Sequence, residues 1–229
     1  MMKLDLHVHS HYSADCFTKP RDLAKKAYMH DIGFAITDHD TTKGWRKFKQ
    51  LSKEFKVPIV FGKEIKVNFH GHFAGELLLL FMQEDIKSND LFDILDFAKE
   101  TDALLVVPHP FDFLRMRFKY WRILKKEFPL KKLAFEIFNA RCYFDIFNEI
   151  AERFAIKNNL LISAGSDAHL IEELGNALVI GEANSLSEMR KLLKKGNVSV
   201  IGKSSPNLVH LKSFLLKVRN GLFNSIKFR

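Results

Sequence analysis

Short apolar runs alternate with longer amphipathic stretches along the chain. The runs at 4–8, 34–37, 58–61, 76–82, 103–107, 133–138 and 160–164 have the length and make-up of buried strands. Between them, residues 20–31, 42–55, 90–100, 118–127 and 144–157 carry apolar positions at helical spacing. Thr18 is placed to cap the first helix, with Gly33 just past its end, and Ser88 or Asn89 to cap the third. Beyond Gly175 the pattern thins to a strand at 177–180, a helix at 186–195 capped by Ser185, a strand at 198–201 and a basic amphipathic helix at 206–222. Helical spacing puts Leu208, Leu211, Leu215 and Val218 on one stripe, which predicts that this helix packs through them.

Alternation of strand and helix predicts parallel strands joined by helical crossovers. About seven such units predict an α/β barrel rather than an open sheet. No linker, repeat or low-complexity stretch interrupts them, so a single domain over 1–229 is expected, with its core at about 3–203.

Composition alters this picture little. Hydrophobic residues at 47% support a substantial core, and 28% charged residues are ordinary for a soluble protein. The 22 Phe read as core filling. The net charge of +9, with basic positions thickening through Lys191, Lys194, Lys195, Lys203, Lys212, Lys217, Arg219, Lys227 and Arg229, favours anionic partners. A small phosphorylated metabolite, a nucleotide or a short nucleic acid would fit, and a solvated lysine-rich surface gives the same charge. Cys16 and Cys142 form neither a disulfide framework nor a zinc ribbon. The first residues lack a signal-peptide pattern, and no apolar stretch nears the roughly 20 residues of a membrane span. A cytoplasmic protein is expected; its oligomeric state is not encoded in any of these features.

The chemistry lies where polar residues meet the strand ends. His7 and His9 are two apart at the end of the first strand, so both side chains face one way. His39 ends the second strand, Glu64 follows the third, and His109 follows the run at 103–107. Asp167 and His169 follow the last parallel strand, again two apart. The C-terminal face of a barrel carries its active site. Imidazole and carboxylate are ligands for Zn²⁺, Mn²⁺ and Fe²⁺, and this supply exceeds one tetrahedral site. His30, His70, His72 and His210 have no such placement and read as ordinary histidines.

Taken in order, D-L-H-V-H-S at 5–10, A-D at 14–15, I-T-D-H-D at 36–40, G-K-E at 62–64, H-P at 109–110, F-E-I-F-N-A-R at 135–141 and G-S-D-A-H at 165–169 resemble the PHP (polymerase and histidinol phosphatase) family. The resemblance implies a distorted seven-stranded β/α barrel and a metal-dependent phosphoesterase with two or three divalent ions (Zn, Mn or Fe). It implies that His7, His9, Glu64 and Asp167 bind the first ion. Glu64 would be shared with a second ion at His109, and Asp15, His39 and His169 would hold a third. Two positions depart from the family. The strand at 133–138 offers Glu136 and Asn139 where many members carry a histidine, and Glu76 stands where some do. Each is a candidate ligand, and Glu76 is equally a candidate surface residue.

The implied mechanism is in-line attack on phosphorus by a metal-bridging hydroxide. Asp15, His39 and His169 are the candidates to protonate the leaving group. Arg141, Arg115 and Arg117 are the candidates to hold phosphate. Two other readings share these residues: an amidohydrolase cleaving C–N or ester bonds, and a metal-stabilised binding module without catalysis.

Overall fold

The computed structural model describes residues 1–226, with side chains described through 216 and at 218. The basic positions 217, 219, 227 and 229 therefore lie outside the described side chains. Strands and helices alternate as β1 (Met2–Val8), α1 (Pro20–Met29), β2 (Gly33–Ile36), α2 (Trp45–Phe55), β3 (Ile59–Phe69), β4 (His72–Leu80), α3 (Leu91–Glu100) and β5 (Leu104–Val107). They continue with α4 (Trp121–Glu127), β6 (Leu133–Asn139), α5 (Asp145–Lys157), β7 (Leu161–Gly165), β8 (Ala177–Gly181), α6 (Leu186–Lys195), β9 (Ser199–Gly202) and α7 (Leu208–Ile226).

Helix ends follow local chemistry. Ser185 accepts from the backbone N–H of Glu188 at the start of α6, and Gly196 closes it in a left-handed conformation. Two expected caps are corrected. Asp90, not Ser88 or Asn89, caps α3 by accepting from the N–H of Phe92. Thr18 lies outside α1 and instead donates its hydroxyl to the carbonyl of His169.

Among the described residues, nine strands form one sheet in the order β7-β6-β5-β4-β3-β2-β1-β8-β9. It curls until the segment after β7 meets β1: Asp167 N–H donates to the carbonyl of His7 at 2.7 Å, and His9 N–H to that of Ala168 at 3.0 Å. The result is a nearly closed barrel, with nine strands where the resemblance implied seven. β8 accounts for part of the difference, pairing with the first half of β1 while the last residues of β1 meet the post-β7 segment.

The expectation of parallel strands holds for β1–β2–β3 and β5–β6–β7 only. β4 runs antiparallel to both neighbours, and β8 antiparallel to β1 and β9. The cause at β4 is a tight hairpin: Phe69 pairs with His72, and His70 and Gly71 between them both take positive φ, 51° and 78°. Two left-handed residues in a two-residue loop turn the chain straight back. Glu64 thus sits within β3 rather than after it, because the strand runs on past the expected end at 61.

Alternation along β4 divides the core. Leu77 and Leu79 pack outward with α3, and Leu78 and Leu80 pack inward with Leu4, Leu6, Val60 and Val106. A third cluster, including Phe34, Ile36, Phe48 and Leu51, seats α1 and α2 on β1 to β3. The stripe expected to seat α7 is overturned: Leu208, Leu211, Leu215 and Val218 are exposed. That helix is buried through Val209 and Ser213 instead. Among the described residues, no helix is long and apolar enough to cross a membrane.

Candidate metal centre

β1 delivers Asp5 and His7 to one face of the strand, and His9 follows at the next alternate position. All three are fully buried. β2 ends just before Asp38 and His39, β3 carries Glu64, β4 carries Glu76, and His109 follows β5. Asp167 and His169 follow β7. Two of these residues, His109 and Asp167, have positive φ of 31° and 55°, a sparsely populated conformation that the surrounding fold must impose.

Glu64 is the hub. Its Oε2 lies 3.3 Å from Nε2 of His7, 3.3 Å from Nε2 of His9 and 3.2 Å from Nδ1 of His39. Its Oε1 lies 3.5 Å from Nε2 of His109. Asp167 Oδ1 is 3.4 Å from His9 Nε2 and 3.7 Å from His7 Nε2. Asp15 joins from the other side, its Oδ2 3.5 Å from His39 Nε2 and 3.3 Å from His169 Nε2. Every residue of the expected ligand set is therefore within one cluster.

Most of the facing atoms make no hydrogen bond. Among the described residues, His7 Nε2, His9 Nε2, His39 Nδ1, both nitrogens of His109, Glu64 Oε1, Glu76 Oε1 and Asp167 Oδ1 are buried without a hydrogen-bond partner. Buried polar atoms are nearly always paired, so such a concentration marks a site built for something else. Three triads bring ligand atoms within 4.8 Å of one another: His7–His9–Glu64, His9–His39–His169 and His39–Glu64–Glu76. That donor set fits divalent cations.

Glu76 is not a surface residue. It is buried, 3.7 Å from both His39 and His109, and burial with Glu64 nearby pushes its carboxyl up to about 9. Its strand phase puts it inside the barrel with Leu78 and Leu80.

Glu136 and Asn139 face the centre but are engaged by the protein. Glu136 Oε1 contacts His7 Nδ1 at 3.1 Å, while Oε2 accepts from His109 N–H at 2.8 Å and from Asn139 Nδ2 at 2.9 Å. Asn139 Nδ2 also donates to Asp167 at 3.2 Å, and its Oδ1 accepts from Arg141 N–H. Among the described residues, neither has the kind of unpaired atom that marks the cluster: their polar atoms are taken by His7, His109, Asp167, Arg141 and each other.

The arginines separate. Arg115 donates to Asp167 Oδ2. Burial disfavours the charge on both, but each holds the other ionised: the Arg115 guanidinium keeps the Asp167 carboxyl well below its usual range. Arg141 is buried beside Glu173, 3.4 Å away. Arg115 and Arg141 line a cavity of about 270 Å³ that opens beside Asp15, His39, Glu76 and His169. Arg117 is exposed and outside that lining; its backbone instead crowds Gly75.

Sequence reasoning missed several members. Asp5 accepts from the N–H groups of His7, Ser166 and Gly175, tying β1 to the post-β7 loop. Its position two before His7 was a usable signal. Ser13 Oγ contacts His9 Nδ1, accepts from His39 N–H and donates to Asp38. His210, Ser213 and Phe214 reach the cavity from α7; nothing local to the sequence pointed to them. His70 and His72 sit at the exposed hairpin tip, away from the centre.

Comparison with known proteins agrees with this geometry. A PHP domain model matches residues 5–162, and a PHP-associated model matches 145–198. An uncharacterised protein of Methanocaldococcus jannaschii is 34% identical over 220 residues, which is 94% of this chain and 86% of that protein. The 5′-3′ exoribonuclease of Haemophilus influenzae is 34% identical over 77 residues, 32% of this chain and 28% of that enzyme. A two-domain Bacteroides vulgatus protein containing a predicted PHP-like metal-dependent phosphoesterase superposes with a TM-score of 0.70 at 17% identity. That match covers 88% of this chain but 65% of the longer protein, and at this identity it speaks for the fold alone. With one family model spanning well over half the residues, and an archaeal relative aligned along nearly all of them, the chain belongs to the PHP family.

Proposed function

We propose that the chain hydrolyses a phosphoester at a cluster of two or three divalent metal ions. The observation that carries this reading is Glu64, whose two oxygens face four imidazoles at or just past the ends of β1, β2 and β5, at 3.2–3.5 Å. His7, His9, Glu64 and Asp167 would hold one ion. Glu64 would be shared with a second at His109, with Glu76 in reach of it. Asp15, His39 and His169 would hold a third. When bound, such ions acidify a water and neutralise phosphoryl oxygens.

The chain's own groups divide the remaining work. Glu136 fixes the ring of His7 and the backbone of His109, so that both Nε2 atoms face Glu64. Asp15, partly exposed and held ionised by His39 and His169, is placed to orient a water that protonates a leaving alkoxide. Arg141, lining the cavity, supplies a buried positive charge for a phosphate oxygen. Arg115 supplies a second, shared with Asp167.

Elemental analysis of protein purified from metal-supplemented culture is expected to find more than one divalent ion per chain. A panel of phosphomonoesters, nucleotide bisphosphates and 5′-phosphorylated oligonucleotides, with amides and lactones alongside, is expected to show turnover of phosphoesters alone. Glu64→Gln and Asp167→Asn should abolish it. Fully metallated protein that cleaves none of these esters would overturn the reading.

A further inference from the structure

The cavity beside the cluster is walled partly by residues beyond both family models, which end at 162 and 198. His210, Ser213 and Phe214, from the first two turns of α7, line it. They are held in place. Arg141 Nη2 donates to Ser213 Oγ at 3.1 Å, and Arg141 Nε lies 3.4 Å from Glu173 Oε1. The other oxygen of Glu173 accepts from the N–H groups of His169 and Leu170, at 3.1 and 2.9 Å. The His210 ring stacks on Tyr143 with centroids 4.1 Å apart and planes 8° from parallel. Burial, then the charges of Arg141 and Arg115, bring the imidazole down to about 4, so it is uncharged at neutral pH.

The lining divides by chemistry. One part is the metal-ligand cluster and one is the pair Arg115 and Arg141. Apart from Ser213, whose hydroxyl is taken by Arg141, the remainder is apolar or aromatic: Tyr143, His210, Phe214, Leu114 and Met116. Phe214, Leu114 and Met116 are 59%, 51% and 43% exposed, large apolar side chains left in water at the rim of a charged site. A phosphate ester with a polar organic part would gain nothing from them. One carrying a ring would remove their surface from water and stack against aromatic neighbours.

We propose that the start of α7 forms a substrate subsite: Phe214 and the Tyr143–His210 pair, with Leu114 and Met116, receive a flat aryl or heteroaryl group, while Arg115 and Arg141 attract the phosphoryl charge. This rests on the phosphoester reading and narrows it to esters whose organic part bears a ring.

Calorimetric titration of the metallated full chain with phenylphosphonate and methylphosphonate tests it, since neither ligand is hydrolysed. Phenylphosphonate is expected to bind about tenfold more tightly, the size of one good aromatic contact plus its buried area. Phe214→Ala and His210→Ala should each move its affinity toward that of methylphosphonate. His210→Phe, which keeps a ring against Tyr143, should restore it. Equal affinities in the unaltered protein would overturn the subsite alone. Substitutions that weaken both ligands equally would also overturn it, showing that α7 only holds the fold. Failure of both phosphonates to bind would instead strike at the phosphoester reading beneath it.

Discussion

Glu136 engages both carboxylate oxygens with His7, His109 and Asn139, and through Asn139 it also reaches Asp167. One side chain therefore sets the direction of three candidate ligands. Glu136→Gln is expected to leave the fold intact and lower metal affinity by about 10- to 100-fold, the usual effect of losing an orienting carboxylate; chelator-competition titration reads it. Gly165 matters for a different reason. A Cβ there would meet His7 Cβ at 2.2 Å and the His7 backbone nitrogen at 2.7 Å, where the barrel seam closes. Gly165→Ala should cost about 1–3 kcal/mol in chemical denaturation, because backbone rather than a flexible tip must move.

At the scale of elements, Asp102 joins α6 to the turn before β5. Its carboxylate meets Lys194 and Arg190 of α6, and Lys132 just before β6. Lys194 first, then Lys132, bring the carboxyl from 3.8 down to about 2. A carboxyl lowered in the folded state stabilises above its unfolded value and loses that contribution as pH falls from about 4 to about 2. Asp102→Asn should remove that part of the acid-limb loss, with a cost at neutral pH under about 1 kcal/mol for so exposed a network. Thermal unfolding followed between pH 2 and 7 would show both. The β3–β4 hairpin gives a contrasting expectation. Replacing His70 and His72 together with Ala should leave metal stoichiometry unchanged, since both lie at the exposed tip; elemental analysis decides. The β4 strand behind that tip matters for Glu76, whose inward phase was obscured because its neighbours at 77–80 are all leucine and show no alternation.

For the molecule as a whole, the cluster concentrates Glu64, Glu76, Glu136 and Asp167 in a buried space with five imidazoles close by. Cations would satisfy those groups in the folded state only, so metal binding should stabilise folding. At about 100 times Kd the gain is about 2.7 kcal/mol, which for a chain of this size raises Tm by about 5–10 °C. Scanning calorimetry with and without chelator checks this, and a single cooperative transition is expected if α7 and the barrel unfold as one unit.

Most strands and helices, and the candidate ligand positions at the strand ends, are legible in the chain alone, because each is written in local spacing: H-x-H, D-x-H and apolar periods of two or 3.6. Composition and charge fit an anionic partner and a solvated lysine-rich surface equally. The folded arrangement set β4 and β8 antiparallel, brought nine strands of the described residues into one sheet, put Glu136 against His7 and left Arg117 outside the cavity lining. It also decided that α7 turns Val209 and Ser213 inward and leaves its leucine stripe in water. These outcomes depend on contacts between residues far apart in the chain, such as Arg141 with Ser213 or Glu136 with His7. Local periodicity says which face of an element is apolar, but not which neighbour that face will meet.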